Sequence, residues 1–454
     1  MFTKLLIANR GEIARRIIKT CKKLNVHTVA VYSEVDQHMP FVKEADEAFL
    51  LGEAKPQESY NNIDKLIAIA KTAGCEAIHP GYGFLSENAA FAARCKEEGI
   101  VFIGPSVDVI AKMGDKIEAR KLMEKAGLPL VPGISFPLVD VEQAIEEALK
   151  IGFPIMLKAS AGGGGIGMGA VKNEEELRKA IEGHKRRAAT FFNNDDMFLE
   201  KLIINPRHIE IQVLADRYGN CIYLWERECS IQRRNQKVIE EAPSPFISPE
   251  KRREMGEAAV AAAKAIGYEN AGTFEFIVDE NQNYYFLEMN TRLQVEHPVT
   301  ETITGIDLVE QQLLVAYGET LALVQDEIAL KGHAIEARIY SEDPKTFYPS
   351  PGKITKLQLP NEHYVRHDIG IEEGGIISPF YDAMFAKMIV TGDTREECIQ
   401  RMLKVVDEYK VEGIKTNLSM IKAVIDHPAF KNGETTTAFV ERYYLNKEGS
   451  MNNG

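Results

Sequence analysis

The sequence lacks the features that mark several common protein classes. Its cysteines are scattered, and no two of them have the C-x-x-C spacing of a zinc or redox site. Isolated cysteines are typical of a reducing compartment, so we expect a cytoplasmic protein. The opening apolar run, residues 5–8, is too short for a signal peptide, and no run approaches membrane-spanning length. We therefore expect no membrane partner. The cysteines are Cys21, Cys75, Cys95, Cys221, Cys229 and Cys398.

An excess of positive charge is also missing. The net charge is -13 at pH 7, which argues against a nucleic acid as the partner. The basic cluster at residues 185–187 is more typical of a solvated helix face. The chain has 454 residues, which exceeds the size at which a single hydrophobic core stops growing. We therefore expect two to four domains.

Strands and helices alternate in the N-terminal part. Residues 4–8, 26–32 and 77–79 are predicted strands, and residues 12–24 are a predicted helix, a pattern typical of a parallel sheet. The turn after the first strand lacks G-x-G-x-x-G, so the sequence predicts a Rossmann-like fold without dinucleotide binding. The loop at residues 79–83 follows a strand, where such sheets bind ligands. A packed structural loop is the equal alternative.

A glycine-rich segment follows a predicted linker at residues 127–133. The predicted strand at residues 154–159 carries Lys158 and leads into four consecutive glycines, residues 162–165. Glycines let backbone N–H groups approach phosphate oxygens closely, and the lysine adds a charge. No Gly-Lys-Ser/Thr follows, so this is not a Walker A loop. The pattern favours phosphate binding, with a flexible linker as the alternative.

A pair of acids is predicted to face each other across a hairpin. If Asp279 pairs with Tyr284 around a four-residue loop, Glu275 lies opposite Glu288. Facing carboxylates repel, so the pair needs a cation. Two acids and the carbonyl oxygen of Asn290 are hard ligands suited to Mg²⁺ that also binds substrate phosphates. An accidental acid pair on a solvated face is the alternative.

If residues 287–296 are extended, their polar and apolar side chains lie on two opposite faces, because side chains alternate along a strand. The polar face is predicted to carry Glu288, Asn290, Arg292, Gln294 and Glu296, and the opposite face Leu287, Met289, Leu293 and Val295.

Three further segments carry chemically useful groups. Residues 197–203 form a predicted strand broken by charge, which could present an acid and backbone groups to adenine and ribose. His208, Glu210 and Gln212 share one face of the next predicted strand, and a satisfied structural histidine is the usual alternative. Residues 229–237 concentrate cations beside two glutamates, which indicates either an anion site or internal salt bridges.

Taken together, these segments resemble the biotin carboxylases of the ATP-grasp superfamily. The resemblance extends over roughly residues 1 to 445. Its motifs are ANRGEIA at 8–14, HPGYGFLSEN at 79–88, the strand and glycine loop at 158–168, the segment 232–243, FLEMNTRLQVEHPVTE at 286–301, EARIY at 336–340 and FYPSPG at 347–352.

The resemblance implies an α/β and α+β protein with three domains. They are an N-terminal Rossmann-like parallel-sheet domain at residues 1–115, an ATP-grasp domain at 116–330 with a mobile glycine-rich lid at about 131–203, and an α+β C-terminal domain at 331–446.

The resemblance also implies a nucleotide and metal site. Glu275, Glu288 and Asn290 would hold Mg²⁺ or Mn²⁺, in agreement with the hairpin argument. The implied ATP-binding residues are Lys116, Lys158, Gly164, Gly165, Glu200, Lys201, Leu202, Ile203, His208, Gln232, Asn235, Glu275 and Glu288.

The implied reaction is the ATP-dependent carboxylation of biotin with bicarbonate. ATP converts bicarbonate to carboxyphosphate, which delivers carbon dioxide to biotin. Glu296 would be the general base toward bicarbonate, and Tyr82 and Arg338 would contact biotin, with Arg338 steadying charge on the ureido oxygen. The residues that would place bicarbonate are Lys237, Arg292, Gln294, Val295 and Arg338. The implied catalytic set is Arg292, Glu296, Lys237 and Arg338.

The chain departs from the commonest family pattern at three positions. Ile166 and Gly169 replace residues that are often basic in the lid, and Asn235 stands where many members have histidine. These changes bear on nucleotide affinity and not on the class of reaction.

A biotin-carrier motif is absent. The nearest match to Ala-Met-Lys-Met is residues 385–388, and its apolar alternation predicts a core strand, so Lys387 is not expected to carry biotin. We expect biotin to be supplied by a separate carrier protein, and a carboxyltransferase to be another subunit. The resemblance also implies a homodimer, and it leaves the final acyl or oxo-acid acceptor open.

Two other functions are alternatives to this one. Another ATP-grasp ligase would activate a carboxylate for amide formation, but Arg338 and the C-terminal motifs argue against it. A non-catalytic ATP-binding subunit is opposed by the complete set of Lys237, Arg292, Glu296 and Arg338.

Overall fold

The computed structural model describes residues 1–161, 168–192 and 194–445. Gly164 and Gly165, predicted to bind ATP from the lid, lie outside these residues. Within the described ranges, no helix combines the length and the apolar composition needed to cross a membrane.

The N-terminal part is a parallel five-stranded sheet in the order β3-β2-β1-β4-β5. Leu5 and Ile7 pack into one hydrophobic core and Leu6 into another, so the sheet is covered on both faces. The predicted Rossmann-like sheet is confirmed. Its strands are β1 (Lys4–Ile7), β2 (His27–Ser33), β3 (Glu47–Gly52), β4 (Ala77–His79) and β5 (Val101–Phe102). The accompanying helices are α1 (Gly11–Lys23), α2 (Pro40–Glu44), α3 (Ile63–Thr72), α4 (Ala89–Glu97), α5 (Val107–Gly114) and α6 (Lys116–Lys125).

The loop after β4 is fixed by a residue from the loop after β1. Nδ2 of Asn9 donates hydrogen bonds to the carbonyl oxygens of Pro80 and Tyr82, at 2.7 and 2.8 Å. Gly81 has a φ of 63°, and a Cβ there would lie 2.8 Å from Nδ2 of Asn9. Only glycine tolerates both conditions. The loop therefore presents Tyr82 in a defined position at the carboxyl ends of the strands.

His79 gives the N-terminal sheet a pH-dependent stability. Burial lowers the pKa of its imidazole to about 3, and Nδ1 accepts a hydrogen bond from the Gly81 N–H at 3.0 Å. A histidine held neutral in the folded state stabilises the protein above its unfolded pKa near 6.5, and this contribution is lost as the pH falls toward 3. Between pH 6.5 and 5, we expect His79 to contribute up to about 1.4 kcal/mol per pH unit to the slope of the unfolding free energy.

Urea unfolding at several pH values measures this contribution. His79→Asn should reduce the slope between pH 6.5 and 5, whereas His38→Asn, at an exposed position, should leave it unchanged. An equal slope for His79→Asn and the unsubstituted protein would contradict the assignment.

A small three-stranded antiparallel sheet, in the order β7-β6-β8, follows in the chain. Helices α7 and α8 cover one side of it, and the apolar residues of both helices share one core with the strands. The strands are β6 (Ile155–Ala159), β7 (Met168–Val171) and β8 (Met197–Lys201), and the helices are α7 (Val141–Ile151) and α8 (Glu174–Phe192). The predicted strand at residues 197–203 thus ends at Lys201.

The largest sheet has eight antiparallel strands, in the order β13-β12-β9-β10-β11-β14-β19-β17. Its strands are β9 (Arg207–Ala215), β10 (Cys221–Arg233), β11 (Gln236–Ala242), β12 (Asn270–Val278), β13 (Tyr284–Asn290), β14 (His333–Tyr340), β17 (Val365–Ile369) and β19 (Met384–Gly392). The remaining strands are β15 (Gly352–Lys353), β16 (Lys356–Gln358), β18 (Ile376–Ile377) and β20 (Lys410–Glu412). The helices are α9 (Pro249–Ala265), α10 (His297–Thr304), α11 (Leu308–Tyr317), α12 (Arg395–Glu408), α13 (Leu418–Ile425) and α14 (Pro428–Lys431), followed by a π-helical turn (Val440–Leu445).

Pairing of β11 with β14 joins the regions before and after residue 330 into this one sheet, through pairs such as Ile239 with Ala337. Lys387 is fully buried on β19, as the prediction of a core strand required.

The segment at residues 127–133 differs from the predicted linker. Its backbone accepts hydrogen bonds from two sheets: the Phe286 N–H donates to the carbonyl of Pro129 at 2.8 Å, and the Lys201 N–H donates to that of Pro132 at 2.7 Å. Leu128 and Val131 are buried. The Pro and Gly content predicted an end of regular structure correctly, but not that the segment would be held between β13 and β8.

Candidate functional site

A cavity of about 470 Å³ lies between the small sheet and the large one. It collects every described residue that was predicted to bind nucleotide, metal or bicarbonate. These lining residues are Lys116, Lys158, Glu200, Lys201, Leu202, Ile203, His208, Gln232, Asn235, Lys237, Glu275, Glu288, Asn290, Arg292, Gln294, Val295, Glu296 and Arg338.

The hairpin of β12 and β13 places Glu275 opposite Glu288, as predicted. The predicted turn, however, is wrong. Val278 pairs with Tyr284, and the Asp279 N–H donates to the carbonyl of Asn283 at 3.0 Å. The side chain of Asp279 accepts from N–H groups inside the loop, which tightens it by one residue. A β-bulge between the Glu275 and Phe276 pairs restores the acid pair.

The bulge also changes which side chains face the cavity. Leu287 lines it beside Glu288, although alternation predicted opposite faces. Strand β13 ends at Asn290, and the irregular chain beyond it turns Val295 into the cavity as well. The predicted separation of polar and apolar faces is therefore wrong for Leu287 and Val295, because an extra residue and a strand end interrupt the period of two. Met289 and Leu293 pack into cores as predicted.

Glu275 is held ionised by the cations around it. Burial alone would raise the pKa of this carboxyl, but Lys237 and His208 lower it well below its usual range. Nζ of Lys237 lies 2.9 Å from one carboxylate oxygen, and Nε2 of His208 lies 2.9 Å from the other. His208, with a pKa raised to about 9 by Glu275 against the effect of burial, is a paired cation and not an isolated structural histidine.

The donor set of this hairpin fits a hard divalent cation. Glu275 and Glu288 face each other, and Asn290 lies beside them, with its Nδ2 donating to Glu275 at 2.5 Å and its Oδ1 accepting from Arg292 at 3.0 Å. Nζ of Lys116, on α6, lies 3.3 Å from a carboxylate oxygen of Glu288, so this lysine contacts the acid pair. Carboxylate and amide oxygens near phosphate-binding lysines are the ligands that Mg²⁺ uses with nucleotides.

Two other groups of possible ligands share the buried Glu210. They are His208 with Glu210 and Glu275, and Glu210 with Cys229 and Glu296. Glu210 already forms ion pairs with Lys237 and with Arg227. These groups are accounted for by the ion-pair network.

Glu296 lies between two cations. Lys237 donates to one of its carboxylate oxygens at 2.8 Å and Arg338 to the other at 2.9 Å. Burial would raise the pKa of Glu296, but Lys237, helped by Arg338, outweighs burial and the repulsion of Glu210. The pKa of Glu296 therefore lies below its usual value, and the carboxylate is ionised at neutral pH, as a general base must be.

A second cavity of about 490 Å³ adjoins the first. Tyr82, the predicted biotin contact, lines it together with the loop after β1. Arg292, Val295 and Arg338 line both cavities. The side chains around Glu296 thus separate a nucleotide-sized space from a second binding space.

The predicted adenine segment is fixed on β8. Glu200 is ion-paired with Lys158 and with Arg120. Nζ of Lys201 donates to the carbonyl oxygens of Gly152 and Phe153, at 2.8 and 3.0 Å. The Leu202 N–H donates to the carbonyl of Pro154 at 3.1 Å, so this stretch of backbone is positioned before a nucleotide binds.

Two of the three unusual positions have structural reasons. A Cβ at Gly169 would lie 2.6 Å from the ring of His184, which excludes a larger residue there. Arg234 and Asn235, with φ of 49° and 63°, form the two-residue turn between β10 and β11, a left-handed conformation that asparagine tolerates. Ile166 lies outside the described residues.

Sequence reasoning missed several lining residues. Met156 and Ile277 lie two positions from Lys158 and Glu275 on the same strands, so extending the alternation would have found them. Thr437 had no such signal, because it reaches the cavity through a backbone hydrogen bond from its N–H to the carbonyl of Pro206. The missed lining residues are Val131, Met156, Met168, Pro206, Gln236, Ile277, Leu287, Tyr340, Asp382 and Thr437.

Comparison with known families agrees with this geometry. Residues 1–110 match "Biotin carboxylase, N-terminal domain", residues 115–324 match "Carbamoyl-phosphate synthase L chain, ATP binding domain", and residues 336–442 match "Biotin carboxylase C-terminal domain". "Biotin carboxylase 2" of Bacillus subtilis (strain 168) is 61% identical over 443 residues, covering 98% of this chain and 100% of that protein.

The chain belongs to the biotin carboxylase family.

Other relatives show the range of carboxylases in which this family occurs. "Propionyl-CoA carboxylase alpha chain" of Ruegeria pomeroyi is 50% identical over 465 residues, covering 98% of this chain and 68% of that protein. A crystal structure of the biotin carboxylase domain dimer of Hydrogenobacter thermophilus 2-oxoglutarate carboxylase, in complex with MgADP, ADP and bicarbonate, superposes with a TM-score of 0.95. The two are 48% identical, and 97% of each chain is covered.

The predicted family, fold class and activity are thereby confirmed. Biotin carboxylases are ATP-grasp ligases, and close relatives of this chain are components of biotin-dependent carboxylases.

Proposed function

We propose that this chain carboxylates biotin carried by a separate protein, using ATP and bicarbonate, and that the predicted site residues have the roles that the resemblance implies. The observation that carries the proposal is the position of Glu296. It is an ionised, buried carboxylate held by Lys237 and Arg338, and the cavity for nucleotide and the cavity with Tyr82 meet beside it.

The proposed first step is deprotonation of bicarbonate. The carboxylate of Glu296 accepts the proton, and the bicarbonate oxygen then attacks the γ-phosphoryl group of ATP to give carboxyphosphate and ADP. Lys237 and Arg292 supply positive charge to the bicarbonate and to the developing phosphate. Val295 has its carbonyl fixed by Nζ of Lys387 at 2.8 Å, so its peptide cannot rotate away from the anion.

Lys116 and Lys158 would bind the nucleotide phosphates. Glu275, Glu288 and Asn290 would hold Mg²⁺, which supplies positive charge to the phosphate oxygens. His208, Gln232 and Asn235 would contact the rest of the nucleotide, and the backbone of residues 200–203 its base.

In the second step, carboxyphosphate breaks down to carbon dioxide and phosphate, the released phosphate takes the proton of biotin N1, and N1 forms a bond to the carbon dioxide. Negative charge develops on the ureido oxygen, and the guanidinium of Arg338 stabilises it because this side chain lines both cavities. Tyr82 borders the biotin space, with its hydroxyl donating to Glu12.

We also propose the predicted domain limits, residues 1–115, 116–330 and 331–446, and closure of residues 131–203 over ATP as a lid. The separate core formed by α7, α8 and the small sheet supports movement of this part as a unit. The proposed partners are a second copy of the chain in a homodimer, a biotin carboxyl carrier protein and a carboxyltransferase subunit. The related Hydrogenobacter thermophilus structure is a dimer.

One assay tests the proposed function. Phosphate release from ATP should require magnesium and bicarbonate, should be slow without biotin and should be accelerated by free biotin, and transfer of ¹⁴C from bicarbonate to biotin should require ATP, magnesium and bicarbonate. Omission of bicarbonate should abolish phosphate release, since no acceptor for the phosphoryl group remains. Phosphate release that needs an amine acceptor and ignores biotin would instead identify an amide-forming ATP-grasp ligase.

A further inference from the structure

Two buried acids face each other behind Arg338. Glu240 on β11 and Glu336 on β14 are direct partners in the antiparallel register, and both side chains are fully buried. Carboxylates that lie directly opposite each other repel, and two in one dry site do not both ionise near neutral pH. One of the pair must therefore remain protonated.

The hydrogen bonds show which acid carries the charge. Nε of Arg338 donates to one carboxylate oxygen of Glu240 at 2.6 Å. The other oxygen of Glu240 and both oxygens of Glu336 have no hydrogen-bond partner within the part of the chain that the structure describes. An ionised carboxylate without any donor is strongly disfavoured, so Glu336 is the neutral member.

The pKa values of the two acids agree with a charged Glu240 and a neutral Glu336. Burial is the main cause that raises the pKa of Glu240 to about 7 and that of Glu336 well above its usual range. Arg338 lowers the pKa of Glu240, whereas Glu296 and Glu210 raise it. Lys387 on β19 lowers the pKa of Glu336, and Glu240 raises it. The charged or titratable groups around the pair are Cys229 on β10, Lys237 on β11, Arg338 and Tyr340 on β14, Lys387 on β19, and Glu210, Glu296 and Tyr82.

We propose that Glu240 and Glu336 are positioning residues that carry one negative charge between them: Glu336 stays protonated so that an ionised Glu240 can hold the guanidinium of Arg338. This inference rests on the proposed function, because it assigns to Arg338 a role toward biotin. It adds two residues that neither bind a substrate nor line either cavity.

The geometry explains what the pair does. Arg338 is held on two sides, by Glu240 at Nε and by Glu296 at Nη2. Nη1 makes no hydrogen bond to any described residue and remains for a ligand. A planar guanidinium fixed at two corners can present its third nitrogen in only one direction. Loss of the Glu240 charge would let Arg338 turn toward Glu296 and away from the biotin cavity.

The test compares Glu240→Gln, Glu336→Gln and the double variant with Glu241→Gln. Glu241 is a matched control, since it is the next residue on β11 and is buried, but its carboxylate binds His333 and Arg395 instead. Biotin carboxylation, the bicarbonate-dependent ATPase without biotin, KM for biotin and thermal unfolding are measured from pH 6 to 9.

We expect Glu240→Gln to lower kcat/KM for biotin about 100-fold, the cost of a small misplacement of a reacting group. The ATPase without biotin should fall much less. In the unsubstituted protein, the rate of carboxylation should fall as the pH drops through about 7, where Glu240 becomes protonated. This decrease, the acid limb of the pH profile, should disappear in Glu240→Gln.

Glu336→Gln should keep the acid limb at its original pH, because a neutral side chain replaces a neutral acid. The double variant should match Glu240→Gln, because Glu336 acts only through Glu240.

Three results would overturn the proposal. Glu240→Gln and Glu241→Gln could lower both activities and the melting temperature alike, which would make Glu240 purely structural. The acid limb could move down by a pH unit or more in Glu336→Gln, which would show that Glu336 is ionised. A double variant markedly worse than Glu240→Gln would show that Glu336 acts independently. Failure of the proposed function is distinguishable, since the unsubstituted protein itself would then show no biotin-dependent phosphate release.

Discussion

Replacing Glu296 with glutamine is expected to abolish both the bicarbonate-dependent ATPase and biotin carboxylation. Glutamine keeps the shape and can still meet Lys237 and Arg338, but it cannot take a proton from bicarbonate. General-base catalysis contributes roughly 100- to 10,000-fold, so the ATPase should fall by at least the lower figure. No pH between 6 and 9 should restore it.

Arg338→Met should behave differently and separates the two half-reactions. Biotin carboxylation should be lost, because no cation remains at the ureido oxygen. The ATPase without biotin should survive with a changed pH dependence. Arg338 lowers the pKa of Glu296, so its removal raises that pKa, and the ATPase should weaken at low pH and recover as the pH rises.

The test measures the rates of ADP formation and of ¹⁴C transfer to biotin in both variants, from pH 6 to 9. The two rates show which half-reaction Glu296 and Arg338 each serve. If Arg338→Met loses the ATPase at every pH as completely as Glu296→Gln, then Arg338 acts on bicarbonate and our division is wrong.

Glu288→Gln is expected to lower turnover by roughly 100- to 1,000-fold at saturating magnesium, the loss of one charged contact in the transition state. The reason is the hairpin geometry, in which Glu275 and Glu288 face each other and need a cation between them. Without nucleotide or metal, the same substitution removes the repulsion with Glu275 but also the ion pair with Lys116, so the melting temperature should change little. Turnover should therefore fall while stability stays close to that of the unsubstituted protein.

The control for this experiment is Glu280→Gln, an exposed acid in the loop of the same hairpin. It should alter neither turnover nor the magnesium concentration needed for half-maximal rate. Near-normal turnover of Glu288→Gln at saturating magnesium would exclude the hairpin as the metal site. A large drop in its melting temperature would instead attribute the lost activity to misfolding.

The sequence by itself was sufficient wherever chemistry and local periodicity coincide. Apolar runs separated by a short loop predicted the facing pair of Glu275 and Glu288, and the ordered motifs of the family predicted which residues would meet in one cavity. Strand β4 was predicted at its correct limits, and all three of its residues are buried. The acid pair and the strand depend on residues close to one another in the chain, whereas the set of cavity residues followed from the resemblance to the family.

Only the tertiary structure decided what depends on distant backbone. The β-bulge at Phe276 corrected a register that the loop alone would have set wrongly, and it turned Leu287 into the cavity. The ladder between β11 and β14 joined two predicted domains in one sheet, and only this ladder placed Glu240 opposite Glu336. Hydrogen bonds between strands far apart in sequence leave no periodic signal in either strand. For strands that are distant in sequence, which acid faces which is therefore settled by the pairing of the sheet and not by the local order of residues.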